Sequence, residues 1–322
     1  MPVKKKIIIL ALVVVAVIAG ILGAVVWQRS HMPPRGATGP ISVIDDAGRN
    51  VTIINYPPKR IVSLAPSCTE ILFALDLGDK VVGVDTYSDY PPDVKARVEA
   101  GQLTTVGSFA EISVELVIGL RPDLILATGG VQRAVVESLA ERGQTVIVLY
   151  PKKFENVLEN ILLVGKATGQ MSKAESLVAD MRKKAQAIAD KTKNASRPRV
   201  YVECFFDGGY WSFGAESYIS ELISMAGGIN VFAGFPGNYM AVSTEVVAKA
   251  NPEIIIISKG AMAMACGLTP ETIKARPGWD VISAVKNNRI YEVEESIMVR
   301  GGPRLVKALE EIAKIIHPEL FS

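Results

Sequence analysis

The sequence contains few of the residues that build metal centres and redox pairs. Its 322 residues include three cysteines and two histidines. Cys68, Cys204 and Cys266 form no CxxC pair, which excludes a zinc site or a dithiol motif of that spacing. His317 is the only histidine beyond His31, so no histidine cluster is available for a metal and no partner is evident for a nucleophilic serine. We therefore expect neither a catalytic centre nor a metal held by the protein itself.

An excess of charge of one sign is also absent. The chain has 35 Lys and Arg against 33 Asp and Glu. Five of the basic residues and none of the acidic ones lie in residues 1–40, which leaves 30 basic against 33 acidic side chains for the remainder. A slightly acidic body has no general attraction for phosphate backbones, so nucleic acid is not an expected partner.

The N-terminus carries the one long apolar run. Ile7–Trp27 contains no charged residue and follows three lysines at positions 4–6. About 20 apolar residues span a bilayer, and basic residues stay on its cytoplasmic side. We predict a single-pass membrane anchor, residues 1–27, then a linker, residues 28–40, and an extracytoplasmic remainder. A cleaved signal peptide is the alternative, although its apolar region is usually shorter. No cysteine follows the run, which excludes a lipid-modified cysteine anchor there.

Two pairs of segments repeat in the same order along the chain. The segment from Glu115 reads ELVIGLRPDLILATGG and that from Glu245 reads EVVAKANPEIIIISKG, each with a proline seven residues after the glutamate. TEILFALDLGDKVVG and SELISMAGGINVFAG likewise place a glycine thirteen residues after a glutamate. Short apolar runs that alternate with helical periodicity predict parallel strands covered by helices on both faces. The duplication indicates an α/β fold of two Rossmann-like lobes, an N-terminal lobe at residues 41–153 and a C-terminal lobe at residues 195–322.

Residues 154–194, between the two lobes, are predicted to form one long, rigid helix. From Ser172 to Lys193 apolar side chains recur at helical spacing. About 22 residues at a rise of 1.5 Å give a rod of roughly 33 Å, which limits how far the lobes swing. Ligands of open parallel sheets bind outside the carboxyl ends of the strands, so the predicted site is a cleft between the lobes.

Local signals predict a turn and two helix starts. Asp46–Arg49 has the composition of a hairpin turn. Ser67 with Glu70, and Ser172 with Glu175, each have the spacing of a reciprocal capping box.

Five segments are informative together. They are KRIVSLAPSCTEILFALDLGDKVVGV, YSDYPP and VGSFAEISVELVIGLRPDLILA in the first half, and WSFGAESYISELISMAGGINVFAG and RPGWDVISAVKNNRIYEV in the second. In combination they resemble class III periplasmic binding proteins, the family that serves importers of cobalamin, ferric siderophores and haem. The resemblance covers about residues 41–318, and YSDYPP is most similar to the cobalamin-binding members. It implies two lobes joined by one helix, with a metal chelate bound between them as cargo and with no intrinsic cofactor.

The resemblance also implies which side chains meet the ligand. Flat or rounded chelates bind on apolar aromatic platforms with a few polar contacts. The positions that match ligand-facing aromatics of the family are Tyr87, Phe109, Tyr210, Trp211 and Tyr239. Arg300 is the predicted contact for a propionate, phosphate or hydroxamate, and Met298 is a weaker candidate because methionine is more often core filler.

Partners follow from the same resemblance. Members of the family dock on an ABC permease, driven by an ATPase on other chains, through an acidic residue on each lobe. In the N-terminal lobe this sequence has Arg133 at the matching position, and Glu137, one helical turn later, is the predicted substitute. Glu271 is the equivalent in the C-terminal lobe. We expect a monomer that delivers its ligand to the permease.

Two other functions remain open at this point. A binding protein for a different small solute, such as an oxyanion, would share the predicted lobes. A two-lobed α/β enzyme acting on a metal chelate would share them too, but it would need cysteine or histidine ligands or a placed base that this chain scarcely offers. Turnover of a bound chelate would support the enzyme.

Overall fold

The apolar runs of the repeated segments form strands of two separate parallel sheets. The computed structural model describes residues 39–206 and 209–321, without the side chains of residues 205, 206 and 262. Both sheets belong to one compact unit that begins at Pro40. We call the part built on the first sheet the N-lobe and the part built on the second sheet the C-lobe.

The strands of the described residues are numbered in chain order. They are β1 Ile41–Ile44, β2 Asn50–Ile53, β3 Ile61–Ser63, β4 Val81–Val84, β5 Thr104–Thr105, β6 Leu124–Thr128, β7 Val146–Leu149, β8 Arg199–Glu203, β9 Phe205–Phe206, β10 Tyr210–Phe213, β11 Ile229–Asn230, β12 Tyr239–Val242, β13 Ile254–Lys259 and β14 Ile290–Glu294.

The helices of the same residues are numbered likewise. They are α1 Pro66–Ala74, α2 Pro92–Glu99, α3 Val114–Gly119, α4 Arg133–Glu141, α5 Phe154–Thr168, α6 Met171–Thr192, α7 Tyr218–Met225, α8 Thr244–Ala250, α9 Ala261–Ala265, α10 Pro270–Lys274, α11 Ser283–Lys286, α12 Glu295–Met298 and α13 Leu305–Ile316. Single 3-10 turns occur at Gly78–Lys80, Gly130–Gln132 and Pro318–Leu320.

The sheet order shows the duplication directly. The N-lobe sheet has the order β5-β4-β3-β6-β7 and the C-lobe sheet has the order β11-β8-β13-β14. All neighbours within each sheet are parallel. Without the extra edge strand β5, the two sheets have the same order, β4-β3-β6-β7 and β11-β8-β13-β14. In both, the strand that comes second in the sequence lies at the edge, next to the first, and the third and fourth follow on the other side of the first. The predicted α/β fold with parallel sheets is confirmed.

Burial explains why the apolar runs became central strands. Leu124–Ala127 in β6 and Ile254–Ile257 in β13 are fully buried. A strand covered by helices on both faces needs apolar side chains at every position, rather than at alternate ones. The continuous runs of the repeated segments meet that requirement.

The first hairpin joins the N-lobe through its turn. β1 and β2 are antiparallel, and Gly48 in the turn has a positive φ of 73°. The Asp45 carboxylate accepts hydrogen bonds from the backbone N–H groups of Ala47 and Arg49. It also accepts one from the N–H of Val148 in β7, which ties the hairpin to the edge of the sheet. The predicted turn is confirmed.

The segment between the sheets is two helices rather than one. α5 ends at Thr168, where Gly169 has a positive φ of 76°, and α6 then runs for 22 residues. At a rise of about 1.5 Å per residue, α6 is a rod of roughly 33 Å, as predicted. α5 and α6 pack closely, because a Cβ added to Gly165 would lie 2.4 Å from the Cβ of Ala174.

Both predicted capping boxes are wrong. α1 begins at Pro66 with Ala65 as its N-cap, and α6 begins at Met171 with Gln170 as its N-cap; neither N-cap side chain accepts a hydrogen bond. Proline is favoured in the first turn of a helix, because it has no N–H to leave unpaired there. Pro66 therefore starts α1 ahead of Ser67.

A single hydrophobic core runs from the N-lobe through α5 and α6 into the C-lobe. Its buried members include Leu126 of β6, Ile161 of α5, Met181 of α6, Val202 of β8 and Leu309 of α13. Close-packed interiors resist relative displacement of their parts. The shared core therefore restrains the two sheets against each other.

Within residues 39–206 and 209–321, no helix has the length and hydrophobicity needed to cross a bilayer. The predicted membrane segment at residues 7–27 and nearly all of the predicted linker lie outside the described residues.

Candidate functional site

The loop after β4 carries Tyr87 at the carboxyl edge of the N-lobe sheet. Its side chain is among the large apolar groups that face solvent, with the residue 56% exposed. The buried Asp85 carboxylate holds this loop by accepting hydrogen bonds from the Tyr87 N–H at 2.9 Å and the Ser88 hydroxyl at 2.5 Å. The Thr69 hydroxyl of α1 lies 2.7 Å from the Ser88 hydroxyl and continues the network inwards. Burial raises the pKa of Asp85, and the hydrogen bond from Ser88 partly opposes that rise.

Phe109 lies at the same edge and is held there by a buried glutamine. Its backbone carbonyl accepts a hydrogen bond from the Gln132 side chain at 2.9 Å. The same amide donates to the carbonyl of Leu64 at 2.5 Å and accepts from the N–H of Thr128 at 2.9 Å. Gln132 is 1% exposed. Its three hydrogen bonds join the loops that follow β3 and β5 to the end of β6. Phe109 itself is partly buried against the core.

Tyr150 is a third aromatic side chain at this edge, and the sequence interpretation missed it. It directly follows β7, is 39% exposed, and donates its backbone N–H to the Asp46 carboxylate at 2.6 Å. A Cβ on Gly129 would lie 2.6 Å from the Tyr150 ring, so the ring covers the glycine pair that follows β6. The sequence held a signal for Tyr150. It directly follows an apolar strand, and the loop that carries Tyr87 also follows one.

Tyr210 and Trp211 lie in β10 and face opposite sides of its sheet, as neighbouring strand residues do. The Arg276 guanidinium lies 4.1 Å from the centre of the Tyr210 ring, and the Trp279 ring lies 5.8 Å away. Arg276 is fixed by two 2.7 Å hydrogen bonds to the buried Glu203 carboxylate. Tyr210 thus packs on the second core of the C-lobe, whereas Trp211 is partly buried against the core shared by both lobes.

Tyr239 begins β12, opposite Phe213 of β10. The two rings are 5.1 Å apart, and Tyr239 is 44% exposed. Burial of its hydroxyl end raises the pKa of Tyr239, and the nearby Cys204 and the phenol of Tyr150 act in the same direction. Tyr150 of the N-lobe thus lies close enough to Tyr239 of the C-lobe to influence its titration.

Arg300 of the C-lobe contacts residues of the N-lobe directly. Its guanidinium donates to the Asp89 carboxylate at 2.5 Å and to the backbone carbonyl of Tyr87 at 3.2 Å. A longer contact of 3.4 Å joins it to Glu70, which is buried and pairs with Arg304 as well. The structure thus brings Arg300 and Tyr87 together. Both arginines are thus paired with carboxylates, and Arg300 also acts on the nearby Asp85 by opposing the rise of its pKa.

The remaining predicted residues lie away from this cluster. Met298 is fully buried in the shared core. Glu137 of α4 is exposed and pairs with Arg133 at 2.9 Å. Glu271 is exposed in the first turn of α10. In the described part of the chain, no group of three or more His, Cys, Asp or Glu side chains is arranged to hold a metal ion.

A family model described as periplasmic binding protein matches residues 61–296. The chain belongs to this family. The membership expected from the sequence is therefore confirmed.

Curated relatives and solved structures agree with the match. The chain is 35% identical to the uncharacterized ABC transporter substrate-binding lipoprotein YvrC of Bacillus subtilis over 86% of each chain. It is 29% identical to the vitamin B12-binding protein of Vibrio parahaemolyticus, over 82% of this chain and 92% of that protein. The periplasmic vitamin B12-binding protein BtuF of Vibrio cholerae is similar in structure, with a TM-score of 0.68 and 28% identity over 81% of this chain and 98% of that one.

Proposed function

We propose that this periplasmic binding protein captures cobalamin, or a related metal chelate, between its lobes and delivers it to the permease of an ABC importer. The chain is the substrate-binding component, as its family membership indicates. Its relatives named as vitamin B12-binding proteins support the choice of ligand. The chain itself catalyses no reaction in this proposal, and the ATPase that drives transport resides on other chains.

The observation that carries the proposal is the exposed aromatic surface at the facing loops of the two lobes. Tyr87 and Tyr150 supply it from the N-lobe, and Tyr239 supplies it from the C-lobe. Exposed aromatic side chains at a concave site bind large ligands by stacking and by removing apolar surface from water. We propose Phe109 and Trp211 as further contacts in the same cleft, whereas Tyr210 lies on the opposite face of β10, against Arg276.

Charge at the site favours cobalamin over haem. Haem carries two propionates, which would need free cationic partners. Arg300 and Arg304 already pair with Glu70 and Asp89. A carboxylate ligand would have to displace one of these partners, whereas the amide-rich rim of a corrin ring needs only polar contacts. Arg300 remains a proposed ligand contact on that basis.

The proposed location is outside the cytoplasmic membrane, with residues 7–27 as the anchor. The Bacillus relative is named a lipoprotein. The first cysteine of this chain is Cys68, which is fully buried, and burial raises the pKa of its thiol to about 12. Cys68 is therefore unsuited to carry a lipid. Docking on the permease is proposed through Glu137 and Glu271, with the protein acting as a monomer.

Titration of the full-length chain in lipid nanodiscs tests the ligand. Cobalamin, haem and a ferric hydroxamate siderophore are compared by calorimetry. We expect cobalamin to bind most tightly. If haem or the siderophore binds more tightly, that chelate is the ligand and the proposed cleft is retained. If none of the three binds, the proposal is contradicted.

Matched variants test the site in the same assay. Tyr87→Ala and Tyr239→Ala are each expected to weaken binding about tenfold, as loss of a stacking ring typically does. Tyr291→Ala is the control, because Tyr291 lies near the start of β14, at the opposite end of the strand from the cleft. If Tyr87→Ala and Tyr239→Ala bind cobalamin as tightly as Tyr291→Ala does, the assignment of the aromatic surface is contradicted.

A further inference from the structure

The segment between α12 and α13 belongs to the C-lobe and contacts the N-lobe. Its two arginines, Arg300 and Arg304, make their ion pairs with N-lobe carboxylates more than 200 residues away in the sequence. Gly301 between them packs against the N-lobe so closely that an added Cβ would lie 2.8 Å from Pro151. The Tyr218 hydroxyl donates to the Val299 carbonyl at 2.6 Å and fixes the start of the segment to the C-lobe.

Glu70 is the centre of these contacts. It is 3% exposed, and Arg304 donates two hydrogen bonds to its carboxylate, at 2.9 Å and 2.6 Å. Two parallel N–H···O bonds between a guanidinium and a carboxylate fix direction as well as distance. A buried carboxylate that loses its partner is strongly unfavourable, so this contact holds the two lobes at one separation.

The same cluster holds the Tyr87 loop from the opposite lobe. Arg300 donates to the Tyr87 carbonyl and to Asp89, and the Arg304 guanidinium lies 3.9 Å from the centre of the Tyr90 ring. Three residues of one ligand-facing loop therefore contact arginines of the other lobe. Movement of the C-lobe would move this loop.

We propose that Glu70, Asp89, Arg300 and Arg304 form an inter-lobe lock that sets the width of the cleft and positions Tyr87. The lock itself does not depend on the identity of the ligand. Its effect on binding rests on the proposed function, since Tyr87 is a proposed contact. Arg304 acts as a positioning residue, because its partners, Glu70, Tyr90 and the Ser296 carbonyl, are not proposed ligand contacts.

A distance measurement without ligand tests the lock. Spin labels are placed at Lys95→Cys in α2 of the N-lobe and at Val281→Cys in the C-lobe, both exposed positions. Cys266→Ala removes the one native cysteine that is not buried. The distance distribution between the labels is then recorded by pulsed electron resonance on the full-length chain in nanodiscs.

Three further substitutions are compared in that labelled background. Arg304→Gln removes the paired hydrogen bonds from the guanidinium to Glu70. Asp89→Asn removes the exposed ion pair with Arg300. Arg133→Gln is the matched control, because its ion pair with Glu137 lies within one helix of the N-lobe. We expect a longer or broader distance for Arg304→Gln, a smaller change for Asp89→Asn, and no change for Arg133→Gln.

The outcomes separate the lock from the proposed ligand. An unchanged distance in Arg304→Gln and Asp89→Asn, with native circular dichroism, would overturn the lock. If Arg304→Gln does not fold, the test rests on Asp89→Asn alone. That variant should fold, because Asp89 is exposed. A changed distance in a protein that binds none of cobalamin, haem and the siderophore would support the lock and refute the proposed function. Where cobalamin binds, its dissociation from Arg304→Gln should be about tenfold faster, within the range of coupling between contacting groups.

Discussion

Replacing Gln132 with methionine tests how the N-lobe edge is held. The glutamine side chain makes three hydrogen bonds, to the carbonyls of Leu64 and Phe109 and from the N–H of Thr128. Methionine has nearly the same length but no amide, so all three backbone groups would lose their partner. Each lost bond costs about 1 kcal/mol or somewhat more when the group left behind is buried, which gives a loss of about 3 kcal/mol in the free energy of unfolding.

Urea unfolding of Gln132→Met against Gln102→Met measures this loss. Gln102 is exposed, and its replacement should change the free energy of unfolding by less than about 0.5 kcal/mol. Cobalamin affinity should fall in Gln132→Met alone, because the Phe109 loop is released. Equal unfolding free energies for the two variants would refute the assignment of Gln132 as the residue that joins these loops.

Three other substitutions have outcomes fixed by the structure. Gly165→Ala should lower the free energy of unfolding by about 1–3 kcal/mol, since its new Cβ would meet that of Ala174. Glu203→Gln should lower it by about 3 kcal/mol, because the buried Arg276 charge loses its partner. Burial raises the folded-state pKa of Asp85 above its ordinary value of 3.8, so the stability that Asp85 contributes below pH 3.8 is lost as the pH rises through that pKa. The unfolding free energy of the wild type minus that of Asp85→Asn should therefore decrease above pH 3.8 in a series of urea titrations.

The first two substitutions each have a control variant. Gly119→Ala should cause no loss, since no atom lies within 4 Å of the added Cβ. Glu137→Gln breaks an exposed pair and should cost less than about 1 kcal/mol. If Gly119→Ala lost as much stability as Gly165→Ala, the close packing of α5 on α6 would be contradicted. If Glu137→Gln lost as much as Glu203→Gln, the importance of the buried pair of Glu203 with Arg276 would be contradicted. For Asp85, a difference in stability that is independent of pH would contradict the raised pKa.

Local patterns were sufficient to predict the layout of the fold. The continuous apolar runs of β6 and β13 identified buried parallel strands, and the repeat indicated two such sheets, although it did not predict their strand order. The 22-residue helix α6 followed from its spacing of apolar side chains. These features depend on neighbours within a few residues, which is why the sequence alone sufficed.

Long-range pairing could not be predicted in the same way. Glu70 has the spacing of a capping residue with Ser67, but its carboxylate pairs with Arg304, 234 residues away. Arg300 was expected to serve the ligand, yet its nearest acceptors are Asp89 and the Tyr87 carbonyl. Such contacts arise only when two lobes face each other, and no local pattern encodes that geometry.

Two residues of the candidate site were missed for different reasons. Tyr150 has the required position after a strand, but none of the segments that carry the family resemblance includes it. Gln132 carries no local signal, because its role depends on three backbone groups from separate loops. The aromatic contacts predicted at Tyr87 and Tyr239 remain predictions until a ligand is bound.

A crystal structure of the full-length chain with bound cobalamin tests the cleft between the lobes most directly. We expect the corrin ring to lie between the two sheets, in contact with Tyr87 and Tyr150 on one side and Tyr239 on the other. Cobalamin bound on the outer face of either lobe, touching none of these rings, would contradict it.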